Sequence, residues 1–214
     1  MRGIDISIHN HDRYGGKALP WDKLRAAGVD FVIIRTGSGL SRVDEDFQKD
    51  VNDAHSVGMQ VGAYHYSYAL TPSAAMQEAI FCKQIIENAG VALELPVFFD
   101  MEDGDNYKAT HGFKFTRRNI TAICKAWLEQ IQPLNSGVYS SLCWYEDWVD
   151  WQALHAEFKV PMWNAQYAKR DMLQAYMWQF TDSLKIDGKI WDGNILYDDV
   201  HKAGLDPWSV FTQS

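Results

Sequence analysis

Short apolar runs alternate with amphipathic stretches along this chain. Three runs, Val32-Ile33-Ile34-Arg35, Val61-Gly62-Ala63-Tyr64-His65-Tyr66 and Pro96-Val97-Phe98-Phe99-Asp100, are nearly continuous in apolar residues. Such runs mark strands covered on both faces, as in a parallel sheet. Together with shorter runs they predict strands over residues 3–7, 31–35, 60–68, 95–102, 137–141, 160–167, 175–180 and 189–195. Helical spacing of apolar positions predicts helices over 21–27, 45–57, 72–89, 116–131 and 142–148. The boundaries carry their own signals. Thr71-Pro72 gives an N-cap followed by proline at the first helical position, and Thr116 caps the next long helix. Gly58 and Gly90 stand where C-caps belong.

The order is strand–helix repeated about five times, then three strands with little helix between them. Alternating βα units imply a parallel sheet with helices outside, and eight strands allow closure into a barrel. The predicted fold is therefore α/β, a single (β/α)-barrel of the TIM-like type with five βα units followed by three strands. It occupies residues 1–197 as one domain, with a C-terminal tail of unknown role over 198–214. The working face of such a barrel lies at the C-terminal ends of its strands, so polar residues ending apolar strands are the first candidates for chemistry.

Composition narrows the classes. The 214 residues are 47% hydrophobic and 22% charged, a globular composition with no run near the roughly 20 apolar residues of a membrane helix. The net charge of −8 disfavours a phosphate-backbone partner, and the Arg117-Arg118 pair reads as a solvated helix face. Three cysteines without a C-x-x-C predict neither a disulfide framework nor a zinc site. Cys82 and Cys124 fall in apolar helical patterns and read as buried thiols, which fits a reducing compartment. No basic region followed by an apolar one opens the chain, so no secretory signal is expected. Aromatic residues make up 14%, which serves either a large core or a platform for sugar rings.

The strongest local feature is Asp100-Met101-Glu102 at the end of an apolar strand. Side chains two apart on a strand share a face, about 6.5–7 Å apart at Cα. Two such carboxylates push their pKa values apart, leaving one protonated beside one ionised, as glycosidic cleavage requires. An acidic cluster at a loop entry, or a cation site, explains the same residues. Asp5 ends the first predicted strand and Asp192 lies in the last, and these two strands become neighbours if the barrel closes. Tyr64-His65-Tyr66, Trp163-Asn164-Ala165-Gln166-Tyr167 and Trp178-Gln179-Phe180 place rings beside hydrogen-bonding groups, the make-up of a sugar groove. His9-x-His11 lies in a polar, turn-rich stretch and is a weak metal motif.

These segments, with Gly3-Ile4-Asp5-Ile6-Ser7 and residues 27–35, resemble in their order the glycoside hydrolase family 25 lysozymes over roughly residues 2–197. The resemblance implies cleavage, with retention, of the β-1,4 bond between N-acetylmuramic acid and N-acetylglucosamine in bacterial peptidoglycan. By matching motif it makes Glu102 the general acid and Asp100 the nucleophile or the group orienting the substrate acetamido. Asp5 and Asp192 become the other acids of the site. Tyr64, Tyr66, Gln166, Trp178, Gln179 and Arg35 become substrate contacts. We expect a monomer acting on the glycan strand, with no cofactor, metal, nucleic-acid or membrane partner. It would wait in the cytoplasm for a membrane pore, as phage endolysins do, or leave by another route. Two other readings stand beside this one: a glycan-binding barrel without catalysis, and a metal-dependent hydrolase using His9, His11 and the acids.

Overall fold

The computed structural model describes residues 1–13, 15, 16 and 18–197; the tail over 198–214 lies outside the described residues. In chain order the elements are β1 (Arg2–Ile6), α1 (Ile8–Arg13), α2 (Trp21–Ala26), β2 (Phe31–Ser38), β3 (Arg42–Val43), α3 (Phe47–Ser56), β4 (Gln60–Tyr66) and α4 (Pro72–Ala89). There follow β5 (Val97–Asp100), α5 (Tyr107–Thr110), α6 (Arg117–Ile131), β6 (Ser136–Ser141), α7 (Leu142–Asp147), α8 (Trp151–Phe158), β7 (Met162–Ala165), β8 (Met177–Ile186) and β9 (Lys189–Leu196). Caps set the long helices. Thr71 accepts from the Ala74 amide at 3.2 Å and Gly90 closes α4 in the left-handed region, at φ 61°. Thr116 does the same for α6 through the Asn119 amide.

Eight strands close into a mixed barrel of the TIM-like kind. Around it β1, β2, β4, β5, β6, β7 and β8 are each parallel to the next. β9 returns antiparallel and pairs with both β8 and β1. β3 is a two-residue hairpin arm on β2.

Alternation along each strand separates two cores. Outward positions such as Ile4, Val32, Ile34, Val61, Val97, Phe99 and Val138 pack beneath the helices, against residues such as Leu24, Val51, Cys82, Ile123 and Trp127. Inward positions Phe31, Ile33, Phe98, Trp163, Met177 and Leu196 fill the barrel's lower half. Glycines make room for these rings. A Cβ on Gly3 would stand 2.4 Å from the Phe31 ring, and one on Gly137 would stand 2.4 Å from the Pro161 carbonyl oxygen. Following the same inward faces to the C-terminal strand ends, the side chains change to Asp5, Arg35, Tyr64, Asp100, Tyr139 and Gln179.

Some expectations shift. The strand over 95–102 ends at Asp100, so Glu102 belongs to the turn after it. The stretch holding His9 and His11 is helix α1, and α5 and α8 also form where none was expected. The strand over 175–180 continues to Ile186 as a hairpin with β9.

Candidate active site

A cavity of about 300 Å³ opens at the C-terminal mouth of the barrel. Its acids are Asp5 on β1, Asp100 ending β5, Glu102 just beyond it, and Asp192 on β9. Asp192 is the register partner of Asp5 across the β1–β9 pair, so barrel closure sets these two acids side by side. Arg35, Tyr64, Tyr66 and Gln179 complete the sequence-predicted residues in the lining. The structure adds Tyr139, Trp163 and Tyr167. Trp163 and Tyr167 stand in one of the aromatic strand ends noted above. Tyr139 was missed, although it is the last inward ring of β6 and strand alternation alone identifies it.

Gln166 and Trp178 are not in this lining. The Gln166 Oε1 accepts from the Met172 amide at 2.9 Å, and its carbonyl accepts from the Trp178 indole at 2.7 Å. Both are engaged in shaping the loop behind the cavity. A larger groove of about 510 Å³ lies alongside, lined by Leu40, Arg42, Tyr68, Glu78, Asp105 and Tyr107 among others. The smaller cavity is the chemically dense one, because it gathers four carboxylates and a guanidinium.

Hydrogen bonds hold the walls rigid. Tyr139 and Tyr167 both donate to the Gln179 Oε1, at 3.0 and 3.2 Å. That orients the Gln179 amide nitrogen onto Asp5, at 2.9 Å. On the other side the Trp163 indole donates to Asn194, which donates to the same Asp5 oxygen at 2.6 Å. Arg35 is held by Asp44 through Nε, at 2.9 and 3.0 Å, and Asp44 also accepts from the Ile8 amide. Two buried atoms of the lining residues have no partner: Arg35 Nη2 and Asp100 Oδ1. A donor and an acceptor left unsatisfied in one cavity are groups that a ligand can complete.

The electrostatics follow from burial. Removal from water lifts Asp100 well above the usual carboxylate range, and the neighbouring Glu102 lifts it further. Glu102, partly exposed, is raised less; burial raises it and the Lys108 ammonium draws it down. Asp5 and Asp192 are both raised, chiefly by burial, and the charge of Asp192 adds to the rise at Asp5. Two close acids with raised values share protons, so the site holds both an acid and a carboxylate near neutrality.

The weak metal motif falls apart in three dimensions. His11 is buried against Asp50, with Nε2 2.8 Å from the carboxylate, while His9 is exposed beside Asp12. Among the described residues no three His, Cys, Asp or Glu side chains are placed to hold a metal. Among them, too, no helix is long and apolar enough to cross a membrane. Cys82 and Cys124 are buried free thiols and Cys143 is exposed.

A model of the glycosyl hydrolases family 25 matches residues 4–189. The autolytic lysozyme of Clostridium acetobutylicum is 25% identical over 195 residues, covering 88% of this chain and 52% of the relative. Lysozyme M1 of Streptomyces globisporus is 21% identical, covering 78% of this chain and 55% of the relative. The chain thus spans about half the length of these curated relatives. Among solved structures, the modular autolysin LytC of Streptococcus pneumoniae in complex with a synthetic peptidoglycan ligand superposes with a TM-score of 0.77. It is 22% identical and covers 92% of this chain and 46% of that one. A family 25 glycosyl hydrolase from Bacillus anthracis gives 0.71 at 22% identity, covering 92% and 88%.

Proposed function

Since the chain belongs to glycosyl hydrolase family 25, we propose that it is a peptidoglycan hydrolase. Its target is the β-1,4 bond between N-acetylmuramic acid and N-acetylglucosamine. The observation carrying this reading is the convergence of four acids, from β1, β9, the end of β5 and the turn after it, on one ring-lined cavity at the barrel mouth. We read the order of elements as the (β/α)5β3 layout, in which the three closing strands supply Gln179 and Asp192.

In this reading Glu102 protonates the departing glycosidic oxygen. It is the more exposed member of the pair, so it meets the scissile bond, while Asp100 lies deeper beneath the sugar. The unpartnered Asp100 Oδ1 and Arg35 Nη2 offer an acceptor and a donor to the 2-acetamido group. Where the proton shared by the pair sits on Glu102, Asp100 either attacks the anomeric carbon or aligns the acetamido oxygen to do so. Both routes retain configuration. Asp5, clamped by Gln179 and Asn194, and Asp192 across from it stabilise positive charge developing on the ring when ionised. Tyr64, Tyr66, Tyr139 and Tyr167 form the walls. The larger groove beside the cavity continues the path of the strand. A monomer suffices, because every group named comes from one chain.

Digestion of purified peptidoglycan followed by mass spectrometry tests the bond specificity: muropeptides ending in reducing N-acetylmuramic acid are expected. NMR of the first-formed anomer tests the stereochemistry, and an inverted product removes both routes. A barrel that binds glycan without cutting it releases no reducing ends in the same assay.

A further inference from the structure

Under the acid pair lies a lysine that neither the motif nor the cavity lining includes. Lys108, on α5, is 1% exposed. Burying an ammonium is costly unless it is held by hydrogen bonds and compensated by charge. Here its Nζ donates to the carbonyl of Ser67 at 2.5 Å and to that of Glu102 at 2.6 Å. One bond reaches the segment just beyond β4; the other grips the turn carrying the acid. The Tyr66 ring, a cavity wall, lies 5.9 Å from the same ammonium. Asp103 fastens α5 from the other side, accepting from the Lys108 and Ala109 amides at 2.7 and 3.0 Å. The turn 101–108 is therefore closed on itself, with Lys108 as its buried pin.

We propose that Lys108 is a positioning residue for the acid pair. Its ammonium fixes the Glu102 backbone against the end of β4 and places a buried positive charge beside both acids. This rests on the hydrolase reading above and deepens it.

The charges around the pin are known from each neighbouring element. Toward Lys108 face Asp100 from β5, Glu78 from α4, and Asp103 and Glu102 from the turn. The Cys124 thiol faces it from α6. Glu102 also feels Asp103 and Asp105, both of which raise it, and Asp100 feels Arg35, which lowers it. Arg35 acts on Asp100, whereas Lys108 acts on both members of the pair. Glu78, pushed up to about 7 by burial, accepts from the Ser67 hydroxyl and the Tyr68 amide and so anchors the other end of the same contact.

Losing the ammonium raises both acids. The general acid then stays protonated to higher pH, and the required carboxylate is lost sooner as pH falls. The whole bell-shaped profile of kcat/KM moves to higher pH. The experiment compares wild type, Lys108→Met and Lys108→Gln on soluble oligomers of N-acetylglucosamine and N-acetylmuramic acid. Wild-type cleavage in this assay is the separate test of the hydrolase reading. Lys108→Met is expected to shift both limbs upward by about one unit or more. It is also expected to lower kcat by about ten- to a hundredfold with little change in KM. Lys108→Gln keeps a donor without the charge, so it recovers part of kcat but keeps the shifted limbs. A folded variant whose profile superimposes on that of wild type overturns the proposal. Should neither variant fold, lysine-selective 15N NMR of the unmodified protein decides. A charged, exchange-protected Lys108 ammonium across the active pH range is the expected result, and a neutral amine there overturns it.

Discussion

At the scale of single residues, the cavity separates what a side chain does for chemistry from what it does for stability. Among the described residues no hydrogen bond reaches the Glu102 carboxylate, so Glu102→Gln removes a proton donor and leaves the packing in place. Loss of cleavage by about 10²- to 10⁴-fold is expected from reducing-end assays, with a melting temperature that is unchanged at about pH 4 and gains modestly on wild type as pH rises. Asp100→Asn shows the stronger dependence on pH. The folded protein holds the Asp100 carboxyl above its usual range, so that residue contributes stability below the unfolded value and loses it as pH rises. The variant turns over substrate much more slowly, yet its melting temperature gains on wild type between about pH 4 and about pH 8. A gain that is equal at the two pH values speaks against a raised Asp100. How much of this was legible in the sequence depends on the residue. The pairing of Asp5 with Asp192 follows from closure of the barrel. The idle Asp100 oxygen, the clamp of Gln179 on Asp5 and the burial of Lys108 are products of tertiary packing, and no local pattern announces them.

At the scale of elements, sequence periodicity works where burial is one-sided or complete and fails where polar contacts build the element. Helix α4 matches its predicted bounds because cap, proline and C-terminal glycine all agree. Helix α1 has almost no apolar face. Its order comes from Asn10 accepting from the Ser7 amide, Asp44 from Ile8, and Asp50 receiving His11. Helix α8 was hidden by the aromatic run before it, since Asp150 restarts the chain as a cap for Ala153. The turn after β5 was read as strand because Met101 continues the apolar run; its amide still reaches the Tyr139 carbonyl on β6, but its carbonyl is taken by the Ser140 hydroxyl and the ladder stops there. Two substitutions test elements directly. Thr71→Ala removes the α4 cap and is expected to cost about 1 kcal/mol in denaturant melts, with activity unaffected. Gly137→Ala drives a Cβ to 2.4 Å from the Pro161 carbonyl and 2.8 Å from the Phe98 ring. A loss of about 1–3 kcal/mol is expected, together with reduced activity as Tyr139 shifts.

At the scale of the whole molecule, acids kept above their usual range dominate the response to pH. Asp50 is pushed up to about 6 and Glu78 to about 7 by burial, and the four cavity acids are raised as well. Each binds more protons folded than unfolded from about pH 4 upward, so stability falls as pH rises through the folded values. His65 opposes this. Burial draws it down to about 4, so its contribution grows with pH up to its unfolded value. One histidine does not offset six acids, and the melting temperature is expected to be lower at about pH 8 than at about pH 5. Calorimetry across that range checks the sign, and a rising profile contradicts it.

The antiparallel return of β9 has a consequence for how the protein is made. Asp5 stands on β1, yet its closest amide donor, Asn194, follows 189 residues later in the chain. On the function proposed above, a chain made only as far as β8 lacks the β9 wall of the cavity, with Asp192, and is expected to be inert. Ribosome-arrested chains stopping before Lys189 should leave cell walls intact, and lysis should begin only once β9 is released.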